Sequence, residues 1–327
     1  MPEMSIIEAI RQGLDELMAG DERVFVFGED VGKRGGVFRA TEGLQEKYGE
    51  LRVLDSPLAE SVIVGACVGA ALNDTLPIAE IQFADFIFPA FNQIVSEAAR
   101  VRYRSNGDFG VPMVIRVPYG GGVHGALYHS QSIEAFFCHI PGLKVVAPAT
   151  PYDAKGLLKS SVEDPDPVLF LEHKKCYRMV RGEVPEADYR VPIGRAEVRR
   201  AGSDLSVFAY GLMLHHSLQA AEALAAEGVD VEVVDLRTLR PLDEETILTS
   251  VRKTGKALIV HEDNLTGGLG GEIAALISQR AFEHLDGPVT RLAGPDVPAM
   301  PYAASLEEAF MPSPASIADA MRSLAAY

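Results

Sequence analysis

Residues 55–91 read DSPLAESVIVGACVGAALNDTLPIAEIQFADFIFPAF, and they set one acid, Glu60, ahead of a run, 61–72, that is apolar or small apart from its serine. A carboxyl group in such company is poorly solvated, which raises its pKa and suits it to hold a proton near neutrality. Downstream, Gln82 offers an amide, and Phe83, Phe86, Phe88 and Phe91 offer ring faces. Together these make an acid facing aromatic rings in one pocket. A second candidate is His129 in VPYGGGVHGALYHSQS, where Gly120, Gly121 and Gly122 release the backbone ahead of His124 and His129. Imidazole is the side chain best placed for general acid or base work. A loop histidine also serves as a surface or capping residue, so by itself His129 admits both readings. Glu29 follows the short apolar run 24–27, a position open to turn residues and ligands alike.

Such groups meet only if several strands end at one edge of a sheet. Ser5 and Glu8 form a capping box, and Ile6, Ile7, Ile10, Leu14 and Leu17 keep one apolar face, which predicts a first helix to Met18. A strand follows at 24–27. Segment 62–72, with Gly65, Ala66, Gly69, Ala70 and Ala71, predicts a smooth helix open to close approach by another backbone. Strands are expected at 76–83, 111–117, 143–147 and 168–171, and helices at 89–104 and 152–162. Alternation of this kind predicts an α/β fold, with a mostly parallel sheet covered on both faces and ligands at the carboxyl ends of its strands.

The pattern lapses into charge and proline between about 177 and 200. Expected, therefore, are one α/β domain over 1–180, a linker over 181–200 and a second α/β domain over 201–327. The second carries strands at 205–209, 231–234, 257–260 and 289–292, helices at 214–226, 243–253 and 271–285, and a last helix begun by Ser313 and Pro314.

A chain of 327 residues with a 47 % hydrophobic share can fill two cores, and its formal charge of −16 argues against nucleic acid or an anionic membrane as partner. Cys67, Cys138 and Cys176 lack metal-ligand spacing and sit in or beside apolar runs, as reduced core residues do. The first residues have neither the basic start nor the long apolar core of a signal peptide, and no apolar run is long enough to span a bilayer. A cytoplasmic setting is expected, or a mitochondrial matrix if a transit peptide has been removed. GGLGG at 267–271 fails the dinucleotide pattern, because its third glycine position is Ile273 and an acidic turn precedes it. Close packing of loop on helix is the expected use of those glycines.

The motifs DSPLAES, AEIQFADFIFPAFNQI, VHGALYHSQS, PGLKVVAPATPYDAKGLL, DLRTLRPLD and VRKTGKALIVHED, in that order, resemble the beta subunits of thiamine-diphosphate-dependent 2-oxo acid dehydrogenases. The resemblance covers almost the whole chain. HGALYHSQSIEAFF and NLTGG are more similar to the branched-chain enzymes than to pyruvate dehydrogenases. It implies a transketolase-like pyrimidine-binding domain and a transketolase-like C-terminal domain. By the same resemblance Glu60 contacts the cofactor's aminopyrimidine, and Glu29, Leu58, Ala59, Gln82, Phe86, Ile87, Phe88 and Pro89 line that half of it. His129 then handles protons at the substrate or during acyl transfer to lipoamide. Phe86 stands where some relatives carry tyrosine, which keeps the ring and loses a hydroxyl.

Family enzymes hold the diphosphate and its magnesium with a Gly-Asp-Gly motif ending in asparagine, and the nearest match here is GDE at 20–22. The resemblance therefore implies an alpha subunit holding magnesium, an α2β2 tetramer with shared sites, and a lipoyl acyltransferase core as further partner. It also implies a potassium ion at Met113, Ser161, Val162, Asp164 and Asp166, the last replacing an amide of some relatives. Oxidative decarboxylation of branched-chain 2-oxo acids is the expected activity. Rival expectations are a pyruvate or acetoin enzyme, a noncatalytic docking subunit, and a free-standing nucleotide-binding protein.

Overall fold

The computed structural model describes residues 2–327, which fall into two compact units: the chain up to Tyr119 with Phe136–Ile193, and Gly120–Ala135 with Gly194–Tyr327. The first unit opens with β1 (Glu3–Ser5) and α1 (Ile6–Gly20). The capping box forms as expected: the Ser5 hydroxyl accepts the Glu8 N–H at 3.4 Å, and the Glu8 carboxylate accepts the Ser5 N–H at 2.7 Å. Then come β2 (Val24–Gly28), α2 (Leu44–Tyr48), β3 (Val53–Asp55), α3 (Glu60–Ala71), β4 (Leu76–Glu80), α4 (Val101–Arg104), β5 (Val114–Tyr119), α5 (Glu134–Cys138), β6 (Lys144–Val146), α6 (Pro151–Glu163), β7 (Val168–His173), α7 (Cys176–Met179) and β8 (Arg181–Glu183).

Within this unit the strands lie in the order β6–β7–β5–β4–β2–β3, every adjacent pair parallel. Every residue of β5 and β7 is buried, as in strands covered on both faces. All six strands therefore end at a common edge, with Gly28 beside Asp55 and Glu80, and Glu80 beside Arg116.

The regular helix expected over 89–104 is instead a chain of tight turns. A 3-10 turn at Phe88–Ala90 leads into a π-helical turn at Gln93–Glu97, a second 3-10 turn at Ala98–Arg100, and only then α4. Each 3-10 or π turn is too short for its own period to depart from that of an α-helix across the apolar residues 91, 94, 95, 98 and 101, so periodicity does not reveal the change. The expected strand at 76–83 ends at Glu80, after which the chain turns.

The second unit contains β9 (Glu197–Arg200), β10 (Leu205–Ala209), α8 (Leu212–Ala225), β11 (Val231–Asp235), β12 (Thr238–Arg240), α9 (Glu244–Thr254), β13 (Ala257–Asn264), α10 (Leu269–Arg280), β14 (Thr290–Gly294), α11 (Ala304–Phe310) and α12 (Pro314–Ala325). Its sheet runs β14–β13–β10–β11–β9, parallel except for the antiparallel edge strand β9. Stretch 181–200, read from sequence as a linker, thus includes β8, paired antiparallel with β1, and β9, paired with β11. The glycines of GGLGG serve packing. A Cβ on Gly268 or Gly270 would stand 2.6 Å from the buried His261 ring, so only bare backbone fits there. Among the described residues no helix is long and apolar enough to cross a membrane.

Candidate active site

In the first unit three neighbouring strands deliver the expected site residues to one edge. Glu29 follows β2, the segment 56–59 leads from β3 into Glu60 at the start of α3, and Gln82 lies two residues past β4. The Gln82 amide donates to the Glu29 carbonyl at 3.5 Å, tying two of these segments together. The Asp55 carboxylate accepts the Gly32 N–H at 2.7 Å and so fixes the loop that follows Glu29. Burial, and after it the negative charges of Asp30 and Glu60, holds the Glu29 carboxyl above the usual carboxylate range.

Aromatic rings follow Gln82 in the chain. Phe83 meets Phe86 edge-on with centroids 5.8 Å apart and Phe38 edge-on at 5.4 Å, while the Lys174 ammonium lies 5.8 Å from the Phe83 centroid. The turn Phe88–Ala90 packs on α3, and the Phe88 ring meets Phe136 at 5.6 Å.

Not every expectation about these side chains holds. Glu60 is half-buried rather than withdrawn from water, because it is the first residue of α3 and stands at the sheet edge. The apolar run after it fills the buried face of the helix through Ile63, Val64, Cys67 and Val68 without covering the acid. Leu58 is 73 % exposed, Phe88 and Pro89 are exposed, and Ala59 and Phe86 are half-buried. Ile87 is 0 % exposed, so it belongs to the core and lines no open surface.

His129 belongs to the second unit and is exposed there, at the end of the loop that begins with Gly120. The Gly120 N–H donates to the Gln131 carbonyl at 3.0 Å, closing the loop at its base. Two buried carboxylates grip its backbone. Glu262 accepts the Gly121 N–H at 2.5 Å and the Ser132 hydroxyl at 3.1 Å; Glu307 accepts the N–H groups of Gly122 at 2.9 Å and His124 at 3.2 Å. Beside them the Tyr210 hydroxyl donates to Glu134 at 2.6 Å. Burial, then the neighbouring Asp263 and Glu262, pushes the Glu134 carboxyl far up.

Sequence reasoning missed these acids, and also Arg116. That guanidinium, 1 % exposed, is bound by Glu80 at 2.5 Å and by both oxygens of Glu172, with Tyr177 donating to Glu172 at 2.5 Å. The available signal was a charged residue inside otherwise apolar strands, VIRVPY and VLFLEH.

The five residues expected at a potassium site lie in the first unit, and their two carboxylates already face cations of the chain. Lys144 reaches both oxygens of Asp164 at 2.5 and 2.6 Å, and Arg102 reaches Asp166 at 2.5 Å. The Met113 carbonyl accepts the Val168 N–H at 3.0 Å, the Ser161 hydroxyl donates to the Leu157 carbonyl, and Val162 is buried. In the GDE segment the Asp21 carboxylate is taken by Arg23 at 2.8 Å. Among the described residues no group of three or more His, Cys, Asp or Glu could hold a metal ion.

Comparison with known proteins also finds two domains, but it counts the loop 120–135, which carries His129, with the first. The transketolase pyrimidine-binding domain matches residues 2–180, and the transketolase C-terminal domain matches 194–317. The 2-oxoisovalerate dehydrogenase subunit beta of Bacillus subtilis is 58 % identical over 327 residues, covering 100 % of both chains. The pyruvate dehydrogenase E1 component subunit beta of Acholeplasma laidlawii is 50 % identical over 322 residues, covering 98 % of each. The mitochondrial 2-oxoisovalerate dehydrogenase subunit beta 2 of Arabidopsis thaliana is also 50 % identical, over 325 residues, covering 99 % of this chain and 90 % of the other. Among solved structures a split-gene transketolase, described as an inactive beta4 tetramer, superposes with a TM-score of 0.80 at 26 % identity, covering 99 % of this chain and 98 % of that one.

Proposed function

Because the chain belongs to the transketolase-like family of 2-oxo acid dehydrogenase beta subunits, we propose that it is the beta subunit of a branched-chain 2-oxo acid dehydrogenase. The observation that carries the substrate class is the greater identity to a 2-oxoisovalerate subunit, over the whole chain, than to a pyruvate subunit. The enzyme oxidatively decarboxylates 2-oxo acids derived from branched-chain amino acids and passes the acyl group to lipoamide on an acyltransferase core.

The residues at the sheet edge fit the aminopyrimidine end of thiamine diphosphate. Glu60 and Glu29 offer carboxyl groups to the ring nitrogens, the Gln82 amide donates to the Glu29 carbonyl, and the Phe83 and Phe86 rings supply an apolar wall. When bound, thiamine diphosphate supplies a carbon nucleophile for the keto group and a sink for the electrons left by carbon dioxide. Glu60 holds the ring in the tautomer that this chemistry requires. Glu29, its carboxyl held above the usual range by burial, stands at the same edge. His129 moves protons at the substrate or during acyl transfer.

With Asp21 engaged by Arg23, nothing in GDE supplies a diphosphate and magnesium site. A partner alpha subunit completes the cofactor in an α2β2 assembly. The exposed small face of α3, with Val62, Ala66 and Gly69, suits contact with another chain. A potassium ion at 113, 161, 162, 164 and 166 would be held mainly through backbone carbonyls, since Lys144 and Arg102 neutralise the two carboxylates. The working location is the cytoplasm, or the mitochondrial matrix in a eukaryote.

The test is coexpression with the partner alpha subunit and comparison of turnover on 3-methyl-2-oxobutanoate and pyruvate. Preference for the branched substrate is expected; strong preference for pyruvate makes this a pyruvate enzyme. In the same assembly Glu60→Gln abolishes decarboxylation while cofactor-dependent assembly survives. Full activity in that variant would assign the chain a docking role only.

A further inference from the structure

The loop carrying His129 has an unusual backbone. Gly120, Gly122, His124 and Ala126 all have left-handed φ values, +86°, +77°, +56° and +55°, so alternate residues over seven positions are left-handed. Two of the four are not glycine, and L residues resist that region. Alternation of this kind turns successive N–H groups toward one side, forming a concavity that binds anions. The anion here is internal. Glu307 on α11, 3 % exposed, fills it: one carboxylate oxygen accepts the N–H groups of Gly122 and His124, and the other meets the His124 Nδ1 at 2.6 Å.

From this geometry we propose that Glu307 is a positioning residue for His129. The link is short. The Glu307 carboxylate fixes Gly122 and His124; two residues on, Ala126 is left-handed, and its carbonyl accepts the His129 N–H at 3.5 Å. Glu262 holds Gly121 and Ser132 on the flanks, so Glu307 is the acid that governs the middle of the loop. The role of His129 as proton carrier rests on the function proposed above; the clasp itself does not.

The test uses the full chain assembled with its alpha subunit and four variants: His129→Ala, Glu307→Ala, Glu307→Gln and the pair His129→Ala with Glu307→Ala. Glu307→Ala lowers kcat about ten- to a hundredfold, the scale at which misplaced groups act. Glu307→Gln, which keeps a carbonyl oxygen for both N–H groups, recovers most of it. The decisive readout is the pair, which matches His129→Ala alone, because Glu307 has nothing left to position. Multiplied losses in the pair, or wild-type kcat in Glu307→Ala, overturn the proposal, as does wild-type activity in His129→Ala. Exchange of amide hydrogens in the full chain separates the two ideas: Glu307→Ala deprotects 120–131 whatever reaction the assembly performs. Unchanged protection there removes the clasp, whereas an assembly inactive on every 2-oxo acid removes only the function proposed above.

Discussion

Arg116 and Glu172 meet fork to fork inside the first unit, Nε to Oε1 at 2.7 Å and Nη2 to Oε2 at 2.8 Å, with both side chains essentially out of water. The third nitrogen, Nη1, goes to Glu80 on the opposite neighbouring strand. One cation thus serves two buried acids on β4 and β7. The site residues Glu29 and Gln82 leave the adjacent strand ends, so this cluster underlies the edge on which they stand.

Replacing Arg116 by Met therefore removes more than a contact. It strands Glu80 and Glu172 without a counter-charge, and loss of one member of a buried ion cluster costs about 3–5 kcal/mol. Burial already pushes the Glu80 carboxyl up against the opposing pull of Arg116. Urea unfolding at neutral pH should show a large fall in the midpoint. A change under about 1 kcal/mol would mean that water or protons neutralise the acids without Arg116.

Much of the fold was readable because it follows period and punctuation. Ser5 with Glu8 marked the first helix, and apolar runs such as 205–209 and 257–260 marked buried strands. The turns of 88–100 were not readable, since each 3-10 or π turn is too short for its period to show in the apolar pattern. In the site, Glu60 and Glu29 were legible as acids at strand ends. The burial expected of Glu60 was not met, because an apolar run shows that a helix is buried without showing where its first residue lies. Glu307 and Glu262 were invisible for another reason. Their partners are backbone N–H groups more than a hundred residues away, and no local pattern encodes such a distance.

The capping box predicts a modest and separable effect. Ser5 is 3 % exposed and shares three hydrogen bonds with Glu8: Oγ to Oε2 and N to Oε2, both at 2.7 Å, and the Glu8 N–H to Oγ at 3.4 Å. Ser5→Ala should cost about 1 kcal/mol. The Glu8 carboxyl, held low first by the Ser5 backbone N–H and then by the Ser5 hydroxyl, should titrate partway back toward its usual value in the variant, and further if the box is lost as a unit. Thermal melts of the two proteins side by side, with carbon-detected titration of Glu8, decide the matter; an unchanged Glu8 titration would show that the Ser5 hydroxyl does not hold the carboxyl low.

Glu134 gives the strongest pH signature. It is fully buried, and burial followed by the nearby Asp263 and Glu262 pushes its carboxyl from 4.5 up to about 8. Between those values the folded chain binds a proton that the unfolded chain has released, so stability falls as pH rises through this window and the contribution levels off beyond it. Gln at this position binds no proton in either state and keeps an oxygen for the Tyr210 hydroxyl, now at 2.6 Å from Glu134. Glu134→Gln should therefore match the wild type near pH 5 and exceed it at pH 8 by an amount on the order of a few kcal/mol. Unfolding midpoints taken at half-unit steps from pH 5 to 8.5 test the sign. A difference between the two proteins that stays flat across the range would show that Glu134 is ionised in the folded state, and that its neighbours reorganise to accept the charge.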